Sequence, residues 1–265
     1  MFAPQGSLTL STFDREVQRL GPLDLSNCGF TDAFGLVAIA SAAETSASEG
    51  QTVVLTPRND DVARYHCRMH LNQILEDPLG LSLDHYQVVH EHDQTDVLCE
   101  LTRFDTWQEA ESVADLVLSR ISGPADVLET VWLCLTEACN NVTEHSERSG
   151  FTAAQVYEKN TVSERIVLAI GDAGIGIASS LGQSLGPLTN RAAVEMALEG
   201  GSSSSDDASR GYGIHDMADA IKTLNGFLLV RTGDGVGTVS RVGYRTSKSA
   251  AGIPGTLIGI QLPCV

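Results

Sequence analysis

The stretch LTEACNNVTEHS, residues 135–146, sets Glu137, Asn140, Asn141, Glu144 and His145 inside an apolar helical pattern. Val131, Leu135, Ala138 and Val142 recur at helical spacing and would face a core. Glu137 and Asn141 are four apart and stack on one helical face, so they point at water or at a ligand. His145, one turn further on, could instead serve the helix C-terminus, where it would complement the dipole. A second chemical stretch is AIGDAGIGI (169–177), an apolar strand that runs into Asp172. Gly174 and Gly176 then let the backbone turn sharply and approach a ligand closely, or simply turn. This D-x-G-x-G run is not a Walker A loop, since no G-K-[ST] follows, and it lacks dinucleotide-fingerprint spacing. The third stretch, SSSSDDASRGYGIHDMADAI (202–221), places Gly211 and Gly213 at the start of a helix. Free amides and the helix dipole favour phosphate there, and Arg210 just before them could neutralise its charge.

Elements must hold these groups in place. In the first hundred residues short strands at 7–11, 21–26 and 51–57 alternate with helices at 34–48 and 59–75, and a further strand is expected at 96–104. That alternation predicts an α/β sheet packed by helices. The texture then changes to two amphipathic helices, separated by ISGP at residues 121–124, whose Gly and Pro stop the first and start the second. Strands FTAAQVYE and ERIVLAIGD, a Gly/Ser-rich segment, a helix from 212 to 224, and strands GFLLVRT, TVSRVGYR and GTLIGIQLP follow. The expected organisation is an α/β domain over 1–104 and an α+β domain over 105–265, with a mobile lid at about 177–210 whose Ser/Gly/Asp content buries little.

Composition narrows the function classes. The 265 residues are 42% hydrophobic, enough for each half to bury a core. With 34 acidic against 17 basic residues the formal charge is −17, which repels phosphate backbones and anionic lipid, so neither direct nucleic-acid binding nor membrane binding is expected. The start of the chain has no basic segment followed by an apolar one, and no apolar run approaches a membrane span; a cytoplasmic location is the expectation. Cys28, Cys67, Cys99, Cys134, Cys139 and Cys264 are scattered without a CxxC pair, as in reduced core thiols. His85, His90 and His92 lack a fixed third ligand for zinc and read as a solvated edge, and His66 and His70 read as a helix surface.

Taken in order, Glu137-x-x-x-Asn141, Asp172-Ala-Gly174-Ile-Gly176, Gly211-Tyr-Gly213 and Gly255-Thr256 resemble the boxes of GHKL (Bergerat-fold) ATPases over about residues 105–265. LTEACNNVTEH is similar to the version found in anti-sigma serine kinases. The resemblance implies a two-layer α/β sandwich that binds ATP with Mg²⁺, and a homodimer, since kinase relatives often dimerise. It implies that Asn141 holds Mg²⁺ bridging the phosphates, that Glu137 is general base toward a hydroxyl or water, and that Asp172 accepts the adenine amino group with support from the Thr256 hydroxyl. These roles suit the residue types. A hard cation takes oxygen ligands, a carboxylate one turn away can orient a nucleophile, and an acceptor facing an N–H₂ donor separates adenine from guanine.

The segment LDLSNCGFTDAFGLVAIASAAETSASEGQTVVLT resembles STAS domains, in which a D-S-x-G loop carries a phosphoacceptor serine. Asp32-Ala33-Phe34-Gly35 offers no hydroxyl at that place, and Thr31 and Ser26 do not match the motif. The resemblances together imply an ATP-binding regulatory protein acting on a protein partner such as a STAS-type antagonist or sigma factor. It would be a serine/threonine kinase or slow ATPase, the alternative being a non-catalytic, nucleotide-gated adaptor.

Overall fold

A computed structural model describes residues 6–20, 23–50, 53–77, 79–83, 97–200 and 213–264. Along the chain, β1 (Ser7–Leu8), α1 (Phe13–Leu20), β2 (Phe30–Thr31), α2 (Ala33–Ser48), β3 (Val53–Val54), α3 (Asp60–Arg68), α4 (Leu71–Glu76) and β4 (Ser82–Leu83) make up the first part. They are followed by β5 (Leu98–Phe104), α5 (Trp107–Arg120), α6 (Ala125–His145), β6 (Gly150–Tyr157) and β7 (Arg165–Asp172). The chain continues through α7 (Gly176–Leu185), α8 (Asn190–Glu199), α9 (Gly213–Thr223), β8 (Phe227–Ser240) and β9 (Gly243–Pro263). Strands β5 to β9 form an antiparallel five-stranded sheet in the order β5-β6-β7-β9-β8. The expected mixture of α and β layers is therefore present, with α+β character in the second part.

Side chains of a strand alternate between faces, and here both faces are apolar. Ala154, Val156, Ile166, Leu168, Ile170, Val230 and Ile260 enter one core with α5, α6 and α9. Their neighbours Phe151, Ala153, Val167, Ala169, Leu229 and Leu257 enter a second core with α2 and α4. Helix α2 is apolar on every side, and thirteen of its residues are buried, because it lies between the sheet and the remaining N-terminal elements. Two sheet glycines make room for it. A Cβ at Gly259 would lie 2.4 Å from Phe34 Cδ2, and one at Gly171 would lie 2.9 Å from Val37 Cγ1. Polar ties fasten the same junction: Arg68 Nη1 meets Glu100 Oε1 at 2.6 Å, Arg120 meets the other Glu100 oxygen, and Tyr65 donates to Gln155 Oε1 at 2.7 Å. Arg231 on β8 is fully buried, pairs with Asp14 of α1 and lies over the Phe13 ring.

Several local expectations shift. The N-terminal strands shrink to short parallel pairings, β1 with β2, β3 with β4 and a bridge between Asp24 and Leu55. Thr9 and Thr12 turn the chain by bonding each other's groups, which cuts the strand expected at 7–11 short. The helix expected at 59–75 breaks into α3 and α4 at His70, whose φ of 62° is left-handed. His66 is not on a surface: it is fully buried against the Thr31 hydroxyl at 2.9 Å, and burial pushes its pKa down to about 3. GFLLVRT and TVSRVGYR are not separate strands, since one continuous hairpin of β8 and β9 turns at residues 241–242. Residues 177–200 hold two helices, α7 and α8, joined at 186–189, rather than one long loop, and Val194 and Leu198 of α8 pack over Gly237 of β8. His85, His90 and His92 lie outside the described residues. The six cysteines are free and buried, as the sequence suggests.

Candidate functional site

Helix α6 is the beam of the site. Val131, Leu135, Ala138 and Val142 are buried in the first core, which turns Glu137 and Asn141 to its other side as half-buried groups about 6 Å apart along the axis. Glu137 meets the start of α9, where a Cβ at Gly213 would lie 2.5 Å from its Oε2. A side chain at this position would make the Glu137 carboxylate swing aside. Burial, with the nearby Asp216 and Glu144 charges adding to it, raises the proton affinity of Glu137 above an ordinary carboxylate's. Asn141 has no side-chain hydrogen bond among the described residues, so its carboxamide oxygen is at liberty to ligate. His145, at the end of α6, lies half-exposed beside Glu144, its Nε2 3.8 Å from Oε2.

Just past His145, the C-terminal end of α6 meets the D-x-G-x-G loop. Ser146 accepts from the Ile175 N–H at 3.3 Å, and a Cβ on Gly174 would lie 2.0 Å from the Ser146 carbonyl oxygen. Asp172 closes β7 at 3% exposure, and its Oδ1 accepts from the Gly174 N–H at 2.7 Å. Burial raises its pKa to about 6 against the pull of the Gly174 and Thr256 backbone N–H groups. Gly255, at φ +58°, brings β9 so close that a Cβ there would lie 2.6 Å from Asp172 Oδ1. Thr256 thus meets Asp172 through its backbone N–H.

The hydroxyl that ties this corner together belongs to Thr232, which no motif marked. It donates to the Gly255 carbonyl at 3.0 Å and accepts from the Ile177 N–H at 3.1 Å, beneath Gly176, whose φ of +75° a side chain would strain. The cross-strand register of Thr232 with Thr256 is what places it there, a long-range pairing invisible in the local sequence. His215 was also missed. Its Nδ1 lies 2.8 Å from the Leu198 carbonyl and joins α9 to the end of α8.

The structure therefore gathers Asp172, Gly174, Gly176 and Thr256 at one corner and Glu137 with Gly213 at another, with Asn141 between them on α6. Arg210 and Gly211 lie outside the described residues. A buried carboxylate flanked by glycines thus closes one strand of an antiparallel sheet backed by helices, an α+β architecture. Residues 103–236 match the family described as histidine kinase-like ATPase domain, and the chain belongs to that family. No curated protein and no solved structure matches the chain.

Proposed function

We propose that the protein binds ATP with Mg²⁺ at this site and acts as a regulatory switch or kinase on a protein partner. The observation that carries the reading is Asp172, a nearly fully buried carboxylate held by loop amides at a glycine-notched corner. An aspartate so placed spares an acceptor for an exocyclic N–H₂ group, which adenine has at the edge where guanine has a carbonyl. Asn141 would hold Mg²⁺, which when bound neutralises phosphate charge. Glu137, with raised proton affinity, is suited to take a proton from a serine or threonine hydroxyl or from water, and Gly213 keeps it beside the amides of α9. Anti-sigma-like serine/threonine kinase activity is the favoured form of the reaction. No helix among the described residues is long and apolar enough to cross a membrane.

The N-terminal half supports a STAS-like reading through its order: the bridge at Asp24, helix α2, the Leu55 partner, helices α3 and α4, then β4 beside β3, with each of these pairings parallel. Asp32 serves as the N-cap of α2, its carboxylate accepting from Gly35 at 3.0 Å and from Leu10 at 2.9 Å. Ala33, at the place of a phosphoacceptor, is fully buried, so the substrate hydroxyl belongs to a partner.

Calorimetric titration with a non-hydrolysable ATP analogue and Mg²⁺ tests the binding reading. Binding is expected, and its loss in both Asn141→Ala and Asp172→Asn; no binding at millimolar ligand refutes it. Glu137→Ala separates enzyme from nucleotide-gated adaptor. Turnover should collapse while the analogue still binds, whereas an adaptor keeps its partner affinity unchanged.

A further inference from the structure

Between α2 and the turn that leads from α6 into β6 lies an open depression of about 370 Å³, lined by Glu44, Asp105, Thr143, Glu147, Arg148 and Ser149 among others. Its floor is unusual. Glu44 is 9% exposed, its Oε1 accepts weakly from the Ser149 N–H at 3.4 Å, and its Oε2 is buried without a hydrogen-bond partner. A buried carboxylate oxygen left unpaired is costly and marks a place where a donor is missing. Asp105 and Glu147 stand exposed at the mouth, against Arg148, while Arg103 is engaged by Ser149 and Asp105 at 2.9 and 3.1 Å.

Among the described residues no group of three or more acidic, histidine or cysteine side chains could hold a metal ion, so these carboxylates are too spread for a point cation. A planar, multi-donor cation suits them better, since it can give one N–H to the buried oxygen and others to the rim. The depression also falls in the size range of small-ligand sites, on a chain whose charge of −17 attracts cations. We propose that this depression is a recognition site for a guanidinium group, in which Glu44 is the buried anchor and Asp105 and Glu147 the rim. The group is supplied by an arginine of a bound protein or by a free guanidinium compound. The depression neighbours the Asp172 corner, since the Glu44 charge helps to raise the Asp172 pKa, but its lining residues do not include Asp172, and it is tested without nucleotide.

The test is an NMR titration of the nucleotide-free full chain with two probes, agmatine and the blocked peptide acetyl-Gly-Arg-Gly-amide. Saturable shifts at the Thr143 and Ser149 amides are expected from at least one probe, with binding about tenfold weaker in Glu44→Gln, an isosteric change that removes the charge. Saturation by the peptide alone assigns the site to protein-borne arginine; saturation by agmatine alone assigns it to a free compound. Should Glu44→Gln fail to fold, the rim variant Asp105→Asn/Glu147→Gln replaces it, with weakening of about threefold expected. The proposal is overturned if neither probe saturates by about 10 mM, or if the folded variant binds as tightly as the parent.

Discussion

Replacing Asp172 by Asn separates the cost of the site from its use. The carboxyl of Asp172 titrates at about 6 in the fold against an ordinary 3.8. That is a difference of about 2 pH units, or roughly 3 kcal/mol of destabilisation once the group is ionised in the fold. The sign follows from which state gives up its proton first. As pH rises from 4 toward 6 the unfolded chain loses the Asp172 proton while the folded chain keeps it, so stability falls by roughly 1.4 kcal/mol per pH unit; above pH 6 both are ionised and the loss stays constant. Asn is nearly isosteric, can still accept from the Gly174 N–H, and cannot ionise. Urea unfolding of parent and variant at matched ionic strength, at pH 4.5, 6 and 8, measures the difference. The variant should gain on the parent by about 2 kcal/mol between pH 4.5 and 8, since about 1 kcal/mol of the effect is already present at pH 4.5, while losing ATP-analogue binding at every pH. A difference that does not change with pH would refute the claim that Asp172 is held in a desolvated corner.

Four further outcomes follow from the same geometry. ATP-analogue affinity of the parent should fall below pH 6, as Asp172 gains the proton that weakens it as an acceptor; calorimetry at pH 5 and 7.5 reads this directly. Gly213→Ala puts a methyl group against Glu137 Oε2 and turns that carboxylate aside, so turnover should drop on the order of tenfold in a steady-state assay while thermal unfolding shifts little. Phe34→Ala empties the wedge over Gly259 between α2 and the sheet, and denaturant unfolding should show a loss of about 3–5 kcal/mol. Glu100→Ala leaves Arg68 and Arg120 facing each other without their shared, nearly buried partner, costing about 3 kcal/mol or more in the same assay, whereas a surface change such as Glu111→Ala should fall within about 0.5 kcal/mol.

What the sequence disclosed and what it hid divide along the range of the interactions. The role of α6 as an apolar beam with one polar face was legible because a helix writes its faces into spacings of three and four, and the turn after β7 was legible because Gly174 and Gly176 have no substitute where the backbone meets Ser146 and Thr232. Thr232 itself was hidden, since its position under the loop is set by pairing with Thr256 across a hairpin. The helices in residues 177–200 were masked by serine and glycine content, although Ala193, Val194, Ala197 and Leu198 carry the helical spacing. The largest hidden feature is the outer face of the sheet. Phe151, Ala153, Val167 and Ala169 form the second half of a period-two pattern that is apolar throughout, and such a pattern demands cover on both sides. The all-round apolar α2 makes the complementary demand, since a helix without a polar face must be buried. Each segment was readable alone, but that they answer each other follows from two glycines, Gly171 and Gly259, whose missing side chains admit Val37 and Phe34. The N-terminal elements therefore complete the core of the ATPase sheet. The same α2 carries Glu44 to the turn that ends in Ser149, a few residues from the Ser146 carbonyl on which Gly174 rests, so the N-terminal half reaches the floor of the Asp172 corner through one side chain and that turn.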